Sequence, residues 1–279
     1  MSCSQLEEEL ESLQWWNVYT HTVQMLERRG YQGCQRLYRT LSEFRALYEA
    51  TLNDELVLNS LSMVVSKTRV DSDFLELPRI NDVVATALKL SGCTQEYDEN
   101  LQRDILCVEV GQSDASQIRI QRCEPHEVIV LFCRKRSGAI GIESVNQLLK
   151  YQQMLRNMHL ILILQNERNP NSVITPQPRK LLSLRRYPEH TVTGAIVEWF
   201  SWLDMSRDLT ATIFHAKYEK YSAERASVWL KEHQLQPHQV ETINVSDKMS
   251  SYYDLRTGDL VAIDSHDGTQ SFVVIGTQK

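Results

Sequence analysis

Arg168, Thr175, Arg179, Lys180, Arg185 and Arg186 cluster in one stretch of the chain. The Arg and Lys head groups among them suit phosphate oxygens, to which they give salt-dependent, sequence-independent attraction rather than base readout. The wider segment from Val128 to His190 holds ten Lys/Arg against three acids, a balance of +7 in a chain of net charge −6, so the remainder stands at −13. A solvated basic face is the plain alternative for such a segment. Arg134 to Arg136, at the end of a strand candidate, are open to the same phosphate chemistry or to a role as a nuclear-import signal.

Other chemistries find less support. Metal-dependent DNA cleavage needs carboxylates converging on a cation, usually with a lysine nearby, to activate water and stabilise the leaving oxygen. Glu109 lies near the end of the strand candidate CVEV, but no lysine follows at the required offset, and Asp104 lies upstream without support. Six cysteines, at positions 3, 34, 93, 107, 123 and 133, form no CxxC pair, which points to reduced thiols and against a structural zinc site. Eight histidines lie scattered without an HExxH, and no P-loop or GxGxxG occurs. A length of 279 residues predicts two domains, with no run of eighteen apolar residues and no signal-peptide beginning.

The elements that must position these residues follow from periodicity. Trp16, Tyr19, Val23 and Leu26 form one face of a helix that Gly30 stops, and a second helix begins before Leu41. Val128 to Cys133 is a continuous apolar strand and Ser137-Gly138 a turn. Ser144 caps a helix over Val145 to Met158 with Leu148, Leu149, Met154 and Leu155 inward, and His159 to Leu164 is a buried strand. Strand, helix and strand in that order predict a crossover with the two strands parallel. Near the C-terminus Ser222 caps a helix with apolar Ala226, Val228, Trp229 and Leu230, which Gln236-Pro237 breaks. Ser246 or Asp247 caps a short helix carrying Met249, Tyr252, Tyr253 and Leu255. After the turn at Thr257-Gly258-Asp259, Leu260 to Ile263 and Phe272 to Ile275 read as an antiparallel pair.

Several of these segments resemble one family. YYDLRTGDLVAI is similar to the YxGLKRGxVVKI signature of the C-terminal module of the fifth subunit of nuclear RNA polymerases, a module with a homologue in archaeal RNA polymerase. The preceding YSAERASVWLKEHQLQPHQV resembles its LSxEExxELLxxYxLxxxQL, and WWNVYTHTVQMLERRGYQG resembles its LWxxxxTxxxMxxDRGY at Trp16, Thr22, Met25, Arg29, Gly30 and Tyr31. TLSEF at Thr40 to Phe44 is similar to TLEEF, GIES to GIKT, LILIL to the second jaw strand, and ITPQPRKLL to the TPSA loop with its helix. The departures are Val240 to Ile243 for LPRI, Asp247 to Ser250 for DPVA, Asp254 for the glycine before the leucine, and Gly268 to Val274 for GRYxxYR. Roughly fifty residues between Leu47 and Asn100 exceed the family pattern and read as an insertion, with a mixed apolar run from Leu52 to Val70 and a helix from Val83 to Leu90 capped by Asn81 or Asp82.

The resemblance implies an α+β protein. It would have a jaw domain over 1–209, made of a helical hairpin and an α/β part with a small mixed sheet, and a small α+β assembly domain over 210–279. It implies a non-catalytic subunit without cofactor, metal, membrane or small-molecule substrate, in the nucleus or nucleolus. The assembly domain would dock on the largest polymerase subunit beside neighbouring small subunits, and the jaw would meet downstream duplex DNA through Arg168, Thr175, Arg179, Lys180, Arg185 and Arg186. Tyr252, Tyr253, Leu255, Arg256 and Val261 are the expected docking residues, since aromatic and Arg side chains supply most anchoring energy at interfaces. Core packing is the alternative for Leu255 and Val261. The eroded signature is what a divergent paralogue serving one polymerase would show, such as the polymerase I form of kinetoplastids. A nuclease or a free-standing nuclear scaffold on the same fold are the competing readings.

Overall fold

Two runs of apolar residues, long enough to be buried on both faces, organise the middle of the chain. In the computed structural model, which describes residues 3–52, 56–67, 127–135, 139–154, 159–166, 174–185, 196–211 and 216–276, they become β2 (Glu127–Lys135) and β3 (His159–Asn166). Every described side chain from Val128 to Arg134 and from His159 to Gln165 is buried, as expected for central strands of a sheet covered on both sides. β1 (Met63–Ser66) pairs antiparallel with β2, and β4 (Ile196–Ser201) pairs parallel with β3, giving the order β1-β2-β3-β4. The expected crossover is present: β2 and β3 are parallel, Ile129 beside Leu160, with α3 (Ile142–Met154) between them in the chain. A second crossover carries α4 (Pro176–Arg185) from β3 to β4. Alternate strand residues, Ile129, Leu131, Leu160, Leu162 and Val197, share a core with Val145 and Leu148 of α3 and Leu182 of α4.

The helix predicted from Ser144 begins earlier, at Ile142. The Val145 amide donates to the Gly141 carbonyl, so Ser144 lies within the first turn and does not cap it. β1 lies inside the block read as an insertion, where no strand was expected. Its pairing partner is more than sixty residues away in sequence, and four residues are too few for a period to show. The Val83 to Leu90 helix and the Ser137-Gly138 turn fall outside the described residues.

By spatial contact the chain divides into two units, Ala46–Ser201 and Met1–Arg45 with Trp202–Lys279. This grouping differs from a cut at 209/210, because the first helix falls with the C-terminal residues. In that unit α1 (Cys3–Arg28) buries Trp15, Val18, Tyr19, Thr22, Val23, Met25 and Leu26, a helical stripe that includes the expected Tyr19, Val23 and Leu26. Trp15, not Trp16, is fully buried and lies 6.2 Å from Trp202 of α5 (Trp202–Met205), whereas the Trp16 indole donates to the Arg39 carbonyl. Gly30 ends α1 as expected, at φ 83°, where its amide donates to Glu27 and that of buried Tyr31 to Leu26. These two bonds are the Schellman arrangement that satisfies the last carbonyls of a helix. α2 (Leu41–Glu49) starts with a reciprocal cap, Thr40 Oγ1 accepting from the Glu43 amide and Glu43 Oε2 from the Thr40 amide.

The C-terminal sheet has the order β5-β7-β8-β6, built from β5 (Lys217–Lys220), β6 (Glu241–Asn244), β7 (Leu260–Asp264) and β8 (Gln270–Gly276). β7 and β8 are the expected antiparallel pair; β5 and β6, the latter parallel to β8, have four residues each and were not predicted. α6 (Ala223–Glu232) has Ser222 as its cap, accepting from the Arg225 amide, and packs Ala226, Trp229 and Leu230 on Leu260 and Ala262. Val228, grouped with the apolar face by sequence, is 53% exposed, because it lies between the inward positions. Asp247, and not Ser246, caps α7 (Lys248–Tyr252), accepting from the Met249 amide.

The described chain is thus mixed helix and strand with two small mixed sheets. Among the described residues no helix is long and apolar enough to cross a membrane.

Candidate functional site

The basic site is built on the start of α4. Ile174 bridges to Ile140 and the Thr175 amide donates to the Ile140 carbonyl, which anchors the helix start against the strand-helix connection. Pro176 and Pro178 occupy the first turn, where an amide has no intrahelical acceptor, so neither costs a hydrogen bond. Leu182 is buried in the sheet core and Leu181 packs against it. Arg179 and Lys180, between the inward positions, are exposed. The Arg179 amide donates to the Thr175 carbonyl one turn back, and its guanidinium lies 6.0 Å from the Trp199 ring centroid, a cation–π distance that limits where the head group points.

The structure therefore places half-exposed Thr175 and exposed Arg179 and Lys180 at one helix start. Arg185 is the last residue of α4, and Arg168 and Arg186 lie outside the described residues. No acid occurs in the sequence from Arg168 to Arg186. Arg134 departs from the phosphate reading. It is 1% exposed, and its guanidinium donates to the Tyr48 hydroxyl at 2.9 Å, so it serves the interior of its unit.

The five expected docking residues divide in two. Tyr252, Leu255 and Val261 are 2%, 1% and 0% exposed and form part of the core. Tyr253 and Arg256 are half-exposed. Tyr253 stacks on Tyr218 of β5 with centroids 5.2 Å apart and meets Tyr252 edge-on. Arg256 pairs with Asp254, and its amide donates to Asp259 Oδ2 at 2.6 Å. Burial is the leading influence on both phenols and raises their pKa values, Tyr253 to about 12 against the opposing pull of Arg28, so each remains a neutral hydrogen-bonding group at ordinary pH.

The groups that hold Tyr252 come from the end of α1. Arg29 Nε donates to the Tyr252 carbonyl at 2.9 Å and Nη2 to the Ser251 carbonyl at 2.5 Å, serving the C-terminal end of α7. Arg28 donates to the Tyr252 hydroxyl and to Asp208 Oδ1. These partners lie more than 170 residues apart, and no local pattern announces them. Arg29 was legible only as a position shared with a motif.

Glu109 and Asp104, the carboxylates weighed for metal-dependent cleavage, lie outside the described residues. Among the described ones no group of three or more His, Cys, Asp or Glu is placed to hold a metal. Cys34 and Cys133 are buried free thiols; burial raises both, Cys34 to about 11, so neither is a ready nucleophile.

No protein-family model matches the chain, and no curated protein matches it.

Proposed function

We propose that this chain is a non-catalytic subunit of a DNA-dependent RNA polymerase, a divergent relative of the fifth subunit. Residues 210–279 act as the assembly domain on the largest subunit. The α/β sheet with its α4 segment acts as a jaw that guides the entering duplex. Nuclear and nucleolar work follows from this reading, with service to polymerase I as the specialised form.

The observation that carries it is the helix start at Thr175, Arg179 and Lys180. Two exposed cations sit on neighbouring positions of one helix, and they belong to the stretch that resembles the family's downstream-DNA contact. Donors so placed suit the evenly spaced phosphates of a duplex whatever its sequence. The order of elements lends further support: helical hairpin, β-α-β crossovers, then a capped helix, a second capped helix and a hairpin. Docking through the assembly domain would use Tyr253 and Arg256 at the surface, with Tyr252, Leu255 and Val261 shaping that surface from within.

Purification of the tagged protein followed by identification of the co-purifying large subunits tests assembly. Recovery of a single polymerase is expected, no polymerase would overturn the proposal, and recovery of all three would overturn the specialisation. For the jaw, Arg179→Glu with Lys180→Glu in the intact complex is expected to weaken DNA association about tenfold or more near physiological salt and to lower the log K against log[salt] slope by about two. An unchanged slope would remove the DNA role.

A further inference from the structure

Residues 6–10 of α1 are exposed and add nothing to the core described above. Its buried stripe begins at Ser12 and Trp15, but before and beside that point Leu6, Leu10 and Leu13 are 53%, 57% and 38% exposed. Their spacing of four and then three residues is the heptad step, which places all three on one seam of a helix. Glu7 and Glu9 border the seam at the positions that pair across a two-helix interface, with Glu8 and Glu11 further round. From residue 1 to residue 27 the chain contains no Lys or Arg. An apolar seam bordered by one sign of charge selects its partner by both properties.

We propose that this seam is a docking surface for a basic amphipathic helix of another protein, one with apolar residues at heptad spacing bordered by Lys or Arg. Charge complementarity is what commits the site to that occupant. A second copy of this chain would bring Glu7 and Glu9 against their own equivalents, and like charges at these positions oppose pairing. The long stretch 68–126 is no better suited, since it holds eleven acids against six bases. Three leucines make a short seam, so the contact has modest affinity by itself and serves as one element of a larger interface. The proposal is independent of the polymerase reading, because it rests on α1 alone.

The test uses the full-length chain and three synthetic helical peptides of about 21 residues, followed by fluorescence anisotropy. One peptide has Leu at the heptad core positions with Lys beside them, the second has Glu in place of Lys, and the third has the Lys composition with its leucines moved off the seam. The first is expected to bind in the micromolar range, at least tenfold more tightly than either control. Leu6→Gln with Leu10→Gln, which keeps helix propensity and leaves the melting temperature unchanged, should abolish that preference. Glu7→Lys with Glu9→Lys should transfer it to the Glu peptide. Equal binding of the first and third peptides would show charge attraction without a seam and overturn the proposal. Leu10-dependent dimers in sedimentation equilibrium would overturn it in favour of a second copy.

Discussion

Arg29 shows how a single side chain can tie together distant parts of a fold. It is 8% exposed, and two of its nitrogens donate to consecutive carbonyls at the end of α7. A buried cation is tolerated where its donors find acceptors of fixed geometry, as guanidinium does here. Arg29→Ala removes both bonds, so the unfolding free energy should drop by about 2–4 kcal/mol in denaturant titration, with Arg29→Lys recovering only part of the loss. Its neighbour Arg28 contributes, after Thr210, to a pH dependence at Asp208. Burial acts to raise the Asp208 carboxyl, but hydrogen bonds from Thr210 and Arg28 outweigh it and hold the group at about 2, below the reference 3.8. A folded-state value below the unfolded one stabilises the fold above pH ~4 and loses that contribution as pH falls towards 2. The difference in denaturation midpoint between the native chain and Asp208→Asn should therefore shrink between pH 5 and pH 2.5. A constant difference would remove Asp208 from the acid response.

At the scale of elements, caps and stops account for most of the agreement between sequence and structure. Ser222, Asp247 and Gly30 each satisfy groups that a helix end leaves open, and their chemistry is local enough to be read from a few residues, whereas Ser144, read as a cap, lies inside the first turn of α3. Asp254 is the instructive departure. It stands where the family signature has glycine, and the structure gives it φ 53°, the left-handed region that glycine adopts without cost and Asp tolerates better than most residues. Asp254→Gly should change stability by less than about 1 kcal/mol, since relief of backbone strain is offset by the lost pair with Arg256. Asp254→Val should cost about 1–2 kcal/mol, because a β-branched side chain has no easy place at positive φ. Thermal melts of the two variants separate the backbone effect from the charge effect. Strands of four residues carry no such local signal. β1, β5 and β6 exist because a neighbouring strand offers an unpaired edge, and that edge is distant in sequence.

For the whole molecule, the consequential finding is that α1 belongs to the same compact unit as the C-terminal residues. A cut at 209/210 follows the family resemblance, yet it severs Arg28 and Arg29 from Ser251 and Tyr252. The chain truncated after residue 209 should therefore show faster amide exchange at the C-terminal end of α1 than the full chain. Adding the 210–279 fragment should restore protection. If the truncated chain protects α1 as well as the full chain does, the two sequence halves fold independently and the long-range bonds are incidental to stability.

The sequence alone carries the parts whose signals are short in range: the apolar runs of β2 and β3, the crossover between them, the caps at Ser222 and Asp247, the stop at Gly30 and the β7–β8 hairpin. It also located the basic segment, since charge needs no fold to be counted. Tertiary packing sets which of those residues face outward. It kept Arg179 and Lys180 at the surface, turned Arg134 inward, and divided the expected docking residues into buried Tyr252, Leu255 and Val261 and half-exposed Tyr253 and Arg256. The physical reason is that periodicity fixes a side chain's direction relative to its own helix or strand, while burial depends on what packs against that face, and the packing partners here come from opposite ends of the chain.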